Sequence, residues 1–372
     1  MKAKGPILLL ITAILWGFAF VAQTTASSDI GPFTFNASRN IIGAVFLTGV
    51  IAMRKRLGHD QAPQERCGAD SAAVGPTTGY TRKTLVIAGV ACGVVLFFAS
   101  YLQQAGITAY PDGAAASSRS GFVTATYMIM VALMGVVVGK KTQPIVFVAV
   151  AVSMLGMYLL CVPDGLGSIY LGDWLVLASA FGYALHIIVI DHFTSVDGVR
   201  LSRIQLMTSA AIALVCALAF EHPDPAAIAA AFVPILYAGI CSDGIAYTFQ
   251  IIAQKTTDPT VASILMSLES VFAAIGGWLI LSESLSAVEL LGCALVFAAC
   301  MSASTAIIRE RATCSPRSCS PRYHSSSKTR CASARDAQAR SMRGTFRTKR
   351  APCGCASIGV ENRQRTRIGT TT

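Results

Sequence analysis

Charged residues are what this sequence lacks most. Asp, Glu, Lys and Arg make up 13% of the chain, about half of the ~25% typical of soluble globular domains. The shortfall excludes a water-exposed surface over most of the length. Histidine is scarce too, at five residues, and no CxxC pair, HExxH or GxSxG occurs. A zinc cluster and the commoner hydrolase motifs are thereby excluded, so no metal, no cofactor and no enzymatic activity are expected.

The charge that is present is unevenly placed. Residues 1–308 hold 15 Lys+Arg and 16 Asp+Glu, a net of −1, whereas residues 309–372 hold 15 Lys+Arg against Glu310, Asp336 and Glu361, a net of +12. The overall +11 therefore belongs to the tail, and the basic balance gives no reason to expect nucleic acid as a partner. The tail carries five of the 12 cysteines and two Ser-Pro-Arg repeats, at Ser315–Arg317 and Ser320–Arg322. It cannot bury a core and should be disordered. Its Arg/Ser/Cys/Thr bias fits out-of-frame translation of GC-rich DNA; the other reading is a basic arm held on anionic lipid headgroups.

What fills the rest is hydrophobicity, with 53% apolar residues and a mean hydropathy of +0.58. A membrane span needs about 20 mostly apolar residues. Runs of that kind predict ten transmembrane helices at 6–27, 33–53, 84–107, 114–138, 144–162, 172–192, 203–220, 229–252, 259–281 and 287–308. The first has too long an apolar run, and no A-x-A site, for a signal peptide. With the N-terminus inside, thirteen basic residues fall on the cytoplasmic side, among them Arg54, Lys55, Arg82, Lys140, Arg200, Arg203 and Lys255. The outer loops carry Asp29, Asp112, Asp164, Glu221, Asp224 and Glu283, with Arg119 their one basic residue. This asymmetry predicts a multi-pass protein of the plasma (inner) membrane with both termini cytoplasmic.

Five helices recur. Leu15–Ala19 matches Ala180–Ala184 at an offset of 165, Tyr101 and Gln104 match Tyr247 and Gln250 at 146, and Ser120, Thr124 and Tyr127 match Ser263, Ser267 and Ser270 at 143. The drop after the first match is about the excess length of the polar, Gly/Pro-rich cytoplasmic loop 54–83. Agreement in order and spacing divides the chain into a first repeat at 1–163, a second at 164–308 and the basic tail at 309–372. A unit of five spans is odd-numbered, so the second copy must insert upside down. The expected fold is an all-α integral membrane protein of two inverted five-helix repeats, the architecture of secondary transporters with a midplane site.

Polar side chains inside such spans face a cavity or a partner. Asp243, Tyr247 and Gln250 share a helical face by spacing, as do Phe97, Tyr101 and Gln104. With the Ser120/Thr124/Tyr127 and Ser263/Ser267/Ser270 stripes they could line one substrate cavity. For the stripes, close helix packing is an equal reading. Trp16 either lines the pathway or packs. Asp243 and Glu269 lie mid-span, where a carboxylate can exchange a proton or bind a substrate amine; the other reading is a structural bond or pairing with Arg39. Arg39 either attracts an anionic group or snorkels to the outer interface. His186, a lone histidine, reads as a satisfied hydrogen-bonding residue.

The stretches "AILWGFAFVAQ" at 13–23, "GPFTFNASRNIIGAVFL" at 31–47, "GFVTATYMIMVALMG" at 121–135 and "SLESVFAAIGGWLILSESLSAVELLG" at 267–292 resemble the EamA-like family of the drug/metabolite transporter superfamily. The resemblance spans about residues 5–308. It implies ten helices around a central cavity and efflux of amino acids or related metabolites, and it places the family's Glu and Arg on Glu269 and Arg39. It departs at Ser270, where a Pro would follow the Glu, which removes an expected kink, and at Gly139-Lys140, where a Gly-Glu pair is common.

The expected partners are a small-molecule substrate, a proton and the lipid bilayer. A nucleotide-sugar or sugar-phosphate carrier is the alternative within transport, and it would want several cavity cations where only Arg39 and Arg119 are available. An intramembrane enzyme or a receptor is the alternative from another class.

Overall fold

In the computed structural model, residues 4–58, 80–137, 144–161, 169–284 and 286–313 are described. Most of the predicted 54–83 loop, Lys140, Lys141, Asp164 and the tail from residue 314 lie outside them. Among the described residues every regular element is helical, as a chain must be where no water is present to satisfy the backbone.

The first repeat region contributes α1 (Lys4–Ala26), α2 (Pro32–Arg56), α3 (Arg82–Thr108), α4 (Ala116–Thr124), α5 (Tyr127–Val137) and α6 (Pro144–Cys161). The second contributes α7 (Leu171–His192), α8 (Gly198–Phe220), the short α9 (Pro225–Ala230), α10 (Phe232–Tyr237), α11 (Tyr247–Gln254), α12 (Pro259–Met266), α13 (Glu269–Leu281) and α14 (Ala287–Thr313). Eight stretches are long and apolar enough to cross a membrane, counting α4–α5, α10–α11 and α12–α13 as one each; Phe147–Gly156 and Ala287–Ala299 are shorter apolar helices. Starts follow local chemistry. Pro32, Pro225 and Pro259 stand in the first turn, and Asp197, Asp224 and Asp258 accept backbone N–H groups as N-caps, satisfying donors that a helix start leaves open. Arg54, Lys55 and Arg56 in the last turn of α2 complement the helix dipole. Large apolar side chains such as Val45, Phe98, Phe220 and Trp278 are exposed, the surface expected to face lipid.

Three of the predicted helices are not continuous. The span over 114–138 breaks at Ala125–Thr126, where Thr126 N–H donates to Val123 O and Ile129 N–H to Thr126 O. The span over 259–281 breaks at Ser267–Leu268, where Ser270 N–H donates to Ser267 O and Val271 N–H to Leu268 O. These three-residue hydrogen-bond steps tighten the backbone locally. Hydroxyls reinforce both breaks: Thr126 Oγ1 donates to Val123 O at 2.7 Å, and Ser270 Oγ to Ser267 O at 2.8 Å. Ser270 therefore does not straighten this helix, as the missing Pro suggests. The break stands without it, made by serine back-bonding. In the span over 229–252, nine residues from Ala238 to Ala246 form a π-helix between α10 and α11.

Neighbours come in related pairs. α1 packs on α13 while α7 packs on α4 and α5; α3 packs on α7 while α1 packs on the π segment and α11; α2 packs on α8, and α4 on α13. Exchanging first with sixth, second with seventh, third with eighth and fourth with ninth predicted spans maps this set onto itself. The α1–α13 crossing is among the tightest. A Cβ on Gly17 would lie 2.3 Å from Phe272 Cβ and 2.8 Å from Glu269 O, so only glycine lets these backbones meet.

Candidate functional site

At the centre of these crossings lies a cavity of about 30 Å³, room for one or two waters by volume. Side chains from both repeat regions line it, including Trp16, Gln23, Arg39, Gln103, Thr124 and Tyr127 from the first, and Tyr183, His186, Ser242, Tyr247, Gln250 and Glu269 from the second. A hydrogen-bonded chain runs along one wall. Tyr183 OH donates to Gln103 Oε1 at 3.0 Å, and Gln103 Nε2 donates to Thr124 Oγ1 at 3.0 Å. Trp16 sits edge-on to Tyr247 with ring centroids 4.9 Å apart, and its Nε1–H reaches Ser242 O at 3.4 Å. His186 lies 5.8 Å from the same tyrosine ring and pairs with Gln205 Oε1 at 3.2 Å.

The charges within the cavity region are few and deeply buried. Arg39 Nε lies 3.6 Å from Asp243 Oδ2, and their side chains are 3% and 0% exposed. The guanidinium also stands 5.4 Å over the Phe35 ring. Arg39 thus turns inward to an ion pair and does not snorkel to an interface. Asp243 also meets the Ser242 side chain, while Gln250 Oε1 has no hydrogen-bond partner among the described residues. Among the described residues no ion pair holds Glu269. Glu269 meets the Tyr127 side chain, and a buried carboxylate with no counter-charge costs several kcal/mol unless it binds a proton or a cation. No group of His, Cys, Asp and Glu among the described residues could hold a metal ion.

Of the candidates read from spacing, Trp16, Thr124, Tyr127, Tyr247, Gln250, Glu269 and Arg39 lie on the cavity. Tyr101 is elsewhere, stacked on Phe33 at 4.1 Å. Gln104 donates to Gln23 O at 3.1 Å. On α3 the cavity position is Gln103, one residue and about 100° away. Ser263 and Ser267 turn their hydroxyls onto Thr260 O and Ile264 O, and Ser120 is buried without lining the cavity. Asp243, within the π segment, meets Arg39 of α2, itself a cavity residue. Tyr183, His186 and Gln23 join the site unpredicted. The available signal was Tyr183 and His186 at three-residue spacing in an otherwise apolar helix.

One end of the bundle, which carries the α1–α2 turn, is closed by two matching carboxylate clamps. Glu221, after α8, accepts Phe33 N–H at 2.8 Å and both Thr34 N–H and Oγ1 at 2.7 and 2.8 Å. Glu283, after α13, accepts Ser117 N–H at 2.9 Å, Ser118 N–H at 3.1 Å and Ser118 Oγ at 2.5 Å. Each thus satisfies the open N-terminus of a first-repeat helix, α2 or α4. Gly31 and Gly277 make room, since a Cβ there would lie 2.4 Å from Glu221 Cδ and 2.1 Å from Glu283 Oε2. Among the described residues the non-glycine positive-φ positions are Ala115 (47°), His222 (50°) and Ser282 (56°), and all three adjoin these clamps. Beside them, Arg119 Nε and Nη2 grip Asp173 at 2.8 and 2.9 Å.

The EamA-like transporter family model matches residues 3–162 and 170–305. An uncharacterized transporter of Archaeoglobus fulgidus is 23% identical over 297 residues, covering 78% of this chain and 82% of that protein. A protein crystal structure superposes with a TM-score of 0.63 at 16% identity, covering 83% of this chain and 99% of the other, a likeness of fold. Two matched halves, a multi-pass helical bundle and a cavity between them agree: this chain belongs to the EamA-like transporter family of the drug/metabolite transporter superfamily.

Proposed function

We propose that this membrane transporter exports a small metabolite, an amino acid or related compound, by alternating access of two inverted five-helix repeats, residues 1–163 and 164–308. In this reading α6 and α14 complete a set of ten spans. The protein sits in the plasma (inner) membrane with both termini cytoplasmic, the clamps at the outer face and the Arg54/Arg82/Arg200 end inside. The observation that carries it is the central cavity, walled by both repeats and holding the carboxylate of Glu269, which has no ion-pair partner among the described residues. The self-mapping helix contacts support the pseudo-twofold relation. At about 30 Å³ the cavity leaves little room for a metabolite, so in this reading the halves part to load.

A phosphate-bearing substrate fits less well. Arg39 is the one Lys or Arg among the cavity's lining residues and already pairs with Asp243, while Arg119 is committed to Asp173. The test is flux from proteoliposomes loaded with a metabolite pool that includes amino acids and sugar phosphates, with and without a pH gradient. Mass spectrometry should find amino-acid-like solutes leaving only when the protein is present. Protein-dependent release of sugar phosphates alone would overturn the substrate reading, and no flux of any solute would overturn export itself.

A further inference from the structure

The opposite end of the bundle carries a second built feature. A crevice of about 480 Å³ opens where the end of α2 and the beginnings of α3 and α8 meet, lined by Lys55, Arg82, Arg200 and Arg203 together with Ile51, Leu85, Val86 and Ile204. That volume falls within the roughly 300–1,000 Å³ of ligand clefts. Among the described residues four cations and no carboxylate line it, Arg200 also bonding Tyr80. The nearest acid, Asp197, caps α8 through Arg200 N–H and pairs with Arg54 at 3.7 Å, so its charge is engaged outside the crevice. Among the described residues Arg203 Nε has no hydrogen-bond partner and is buried. A buried guanidinium N–H left open is costly unless an acceptor arrives. The beginning of α3 adds a positive helix-dipole end to the same spot, whereas that of α8 is already capped by Asp197.

We propose that this crevice binds the phosphate headgroup of an anionic phospholipid. Both halves of the ligand have a counterpart. The four cations meet the phosphodiester, and the aliphatic wall, with Val86 44% exposed, continues along the lipid-facing side of α3 where an acyl chain would lie. A soluble phosphate would use the cations and leave that wall without a partner. The site is separate from the central cavity, shares no lining residue with it and bridges the two repeats, since α2 and α3 belong to the first and α8 to the second. Lipid binding there ties the repeats together at the end away from the carboxylate clamps.

The test is native mass spectrometry of the full chain in neutral detergent with phosphatidylglycerol, phosphatidylcholine or inorganic phosphate. Phosphatidylglycerol should be retained and phosphatidylcholine lost. At roughly 1 kcal/mol per basic residue, R82Q/R203Q should weaken phosphatidylglycerol binding about 30-fold, and K55Q, at an exposed position and harmless to folding, about 5-fold. The equally charge-depleting R56Q/K83Q, outside the crevice, should leave it unchanged. Equal retention of both lipids, equal loss in R56Q/K83Q and K55Q, or displacement of the lipid by millimolar inorganic phosphate would each overturn the proposal.

Discussion

The Glu283 clamp supports a quantitative prediction about which way the closed state opens. Removing the carboxylate in Glu283→Ala strips Ser117 N–H, Ser118 N–H and Ser118 Oγ of their acceptor. Hydrogen bonds to a charged group contribute about 1.5–3 kcal/mol net. If the clamp end is the outer face, as proposed, and this cluster exists only while that face is shut, its loss shifts the closed-to-outward equilibrium by about 10- to 150-fold. The assay replaces the native cysteines, introduces Cys at Gln23 on the cavity wall, and follows labelling by a membrane-impermeant maleimide from outside. Labelling should accelerate by at least tenfold. Gly277→Ala should mimic the effect, because its new Cβ would lie 2.1 Å from Glu283 Oε2 and evict a flexible side-chain end. Combining the two should add little, since both remove the same contact. An unchanged labelling rate in a folded Glu283→Ala protein refutes the gate, and additive effects refute the link between glycine and clamp.

Other outcomes follow from the same geometry. Asp173→Ala leaves the Arg119 guanidinium buried beside Tyr110 OH and Tyr170 N–H, both of which also use Asp173; thermal unfolding in detergent should show a loss of about 3–5 kcal/mol, and a loss under 1 kcal/mol would mean the pair is hydrated. If Glu269 exchanges the coupling proton, Glu269→Gln keeps the shape of the cavity and removes that exchange, so flux in proteoliposomes should cease to respond to an imposed pH gradient; an unaltered response ends the coupling role. Gly17→Leu forces a branched side chain into Phe272 and the α13 backbone, and should cost more than about 3 kcal/mol in the same unfolding assay, whereas a stability within 1 kcal/mol of the parent would show that the crossing can spread.

Helix positions were legible because the bilayer demands long apolar runs: the predicted 172–192 is α7 at Leu171–His192, and 259–281 coincides in extent with α12 plus α13. Interruptions were not legible, because hydropathy is blind to winding. No run of residues from Ala238 to Ala246 declares a π-helix, yet Asp243 sits within one, paired with Arg39, while Tyr247 and Gln250 line the cavity. On α3, polar residues at adjacent positions 103 and 104 left the facing one undecided, and only packing selects Gln103. Serines were overread for a related reason. A hydroxyl in a helix has its own i−3 or i−4 carbonyl within reach, so Ser263 and Ser267 are satisfied without any cavity. The clamps escaped because Glu221 and Glu283 read simply as loop acids; their partners are backbone N–H groups, which no side-chain motif reveals.

The two mid-span breaks set the length of the moving part. The break at Ala125–Thr126 leaves α4 as a nine-residue rod, and the one at Ser267–Leu268 leaves α13 as a thirteen-residue rod; these are the two rods that Glu283 ties together. At 1.5 Å per residue they are about 14 and 20 Å long. Pivoting α4 by only about 10° at its break would carry its far end some 2 Å, enough to take a 2.9 Å contact out of hydrogen-bond range. A lever that short can open one face while α5 and α12, on the far side of the fulcrum, stay where they are.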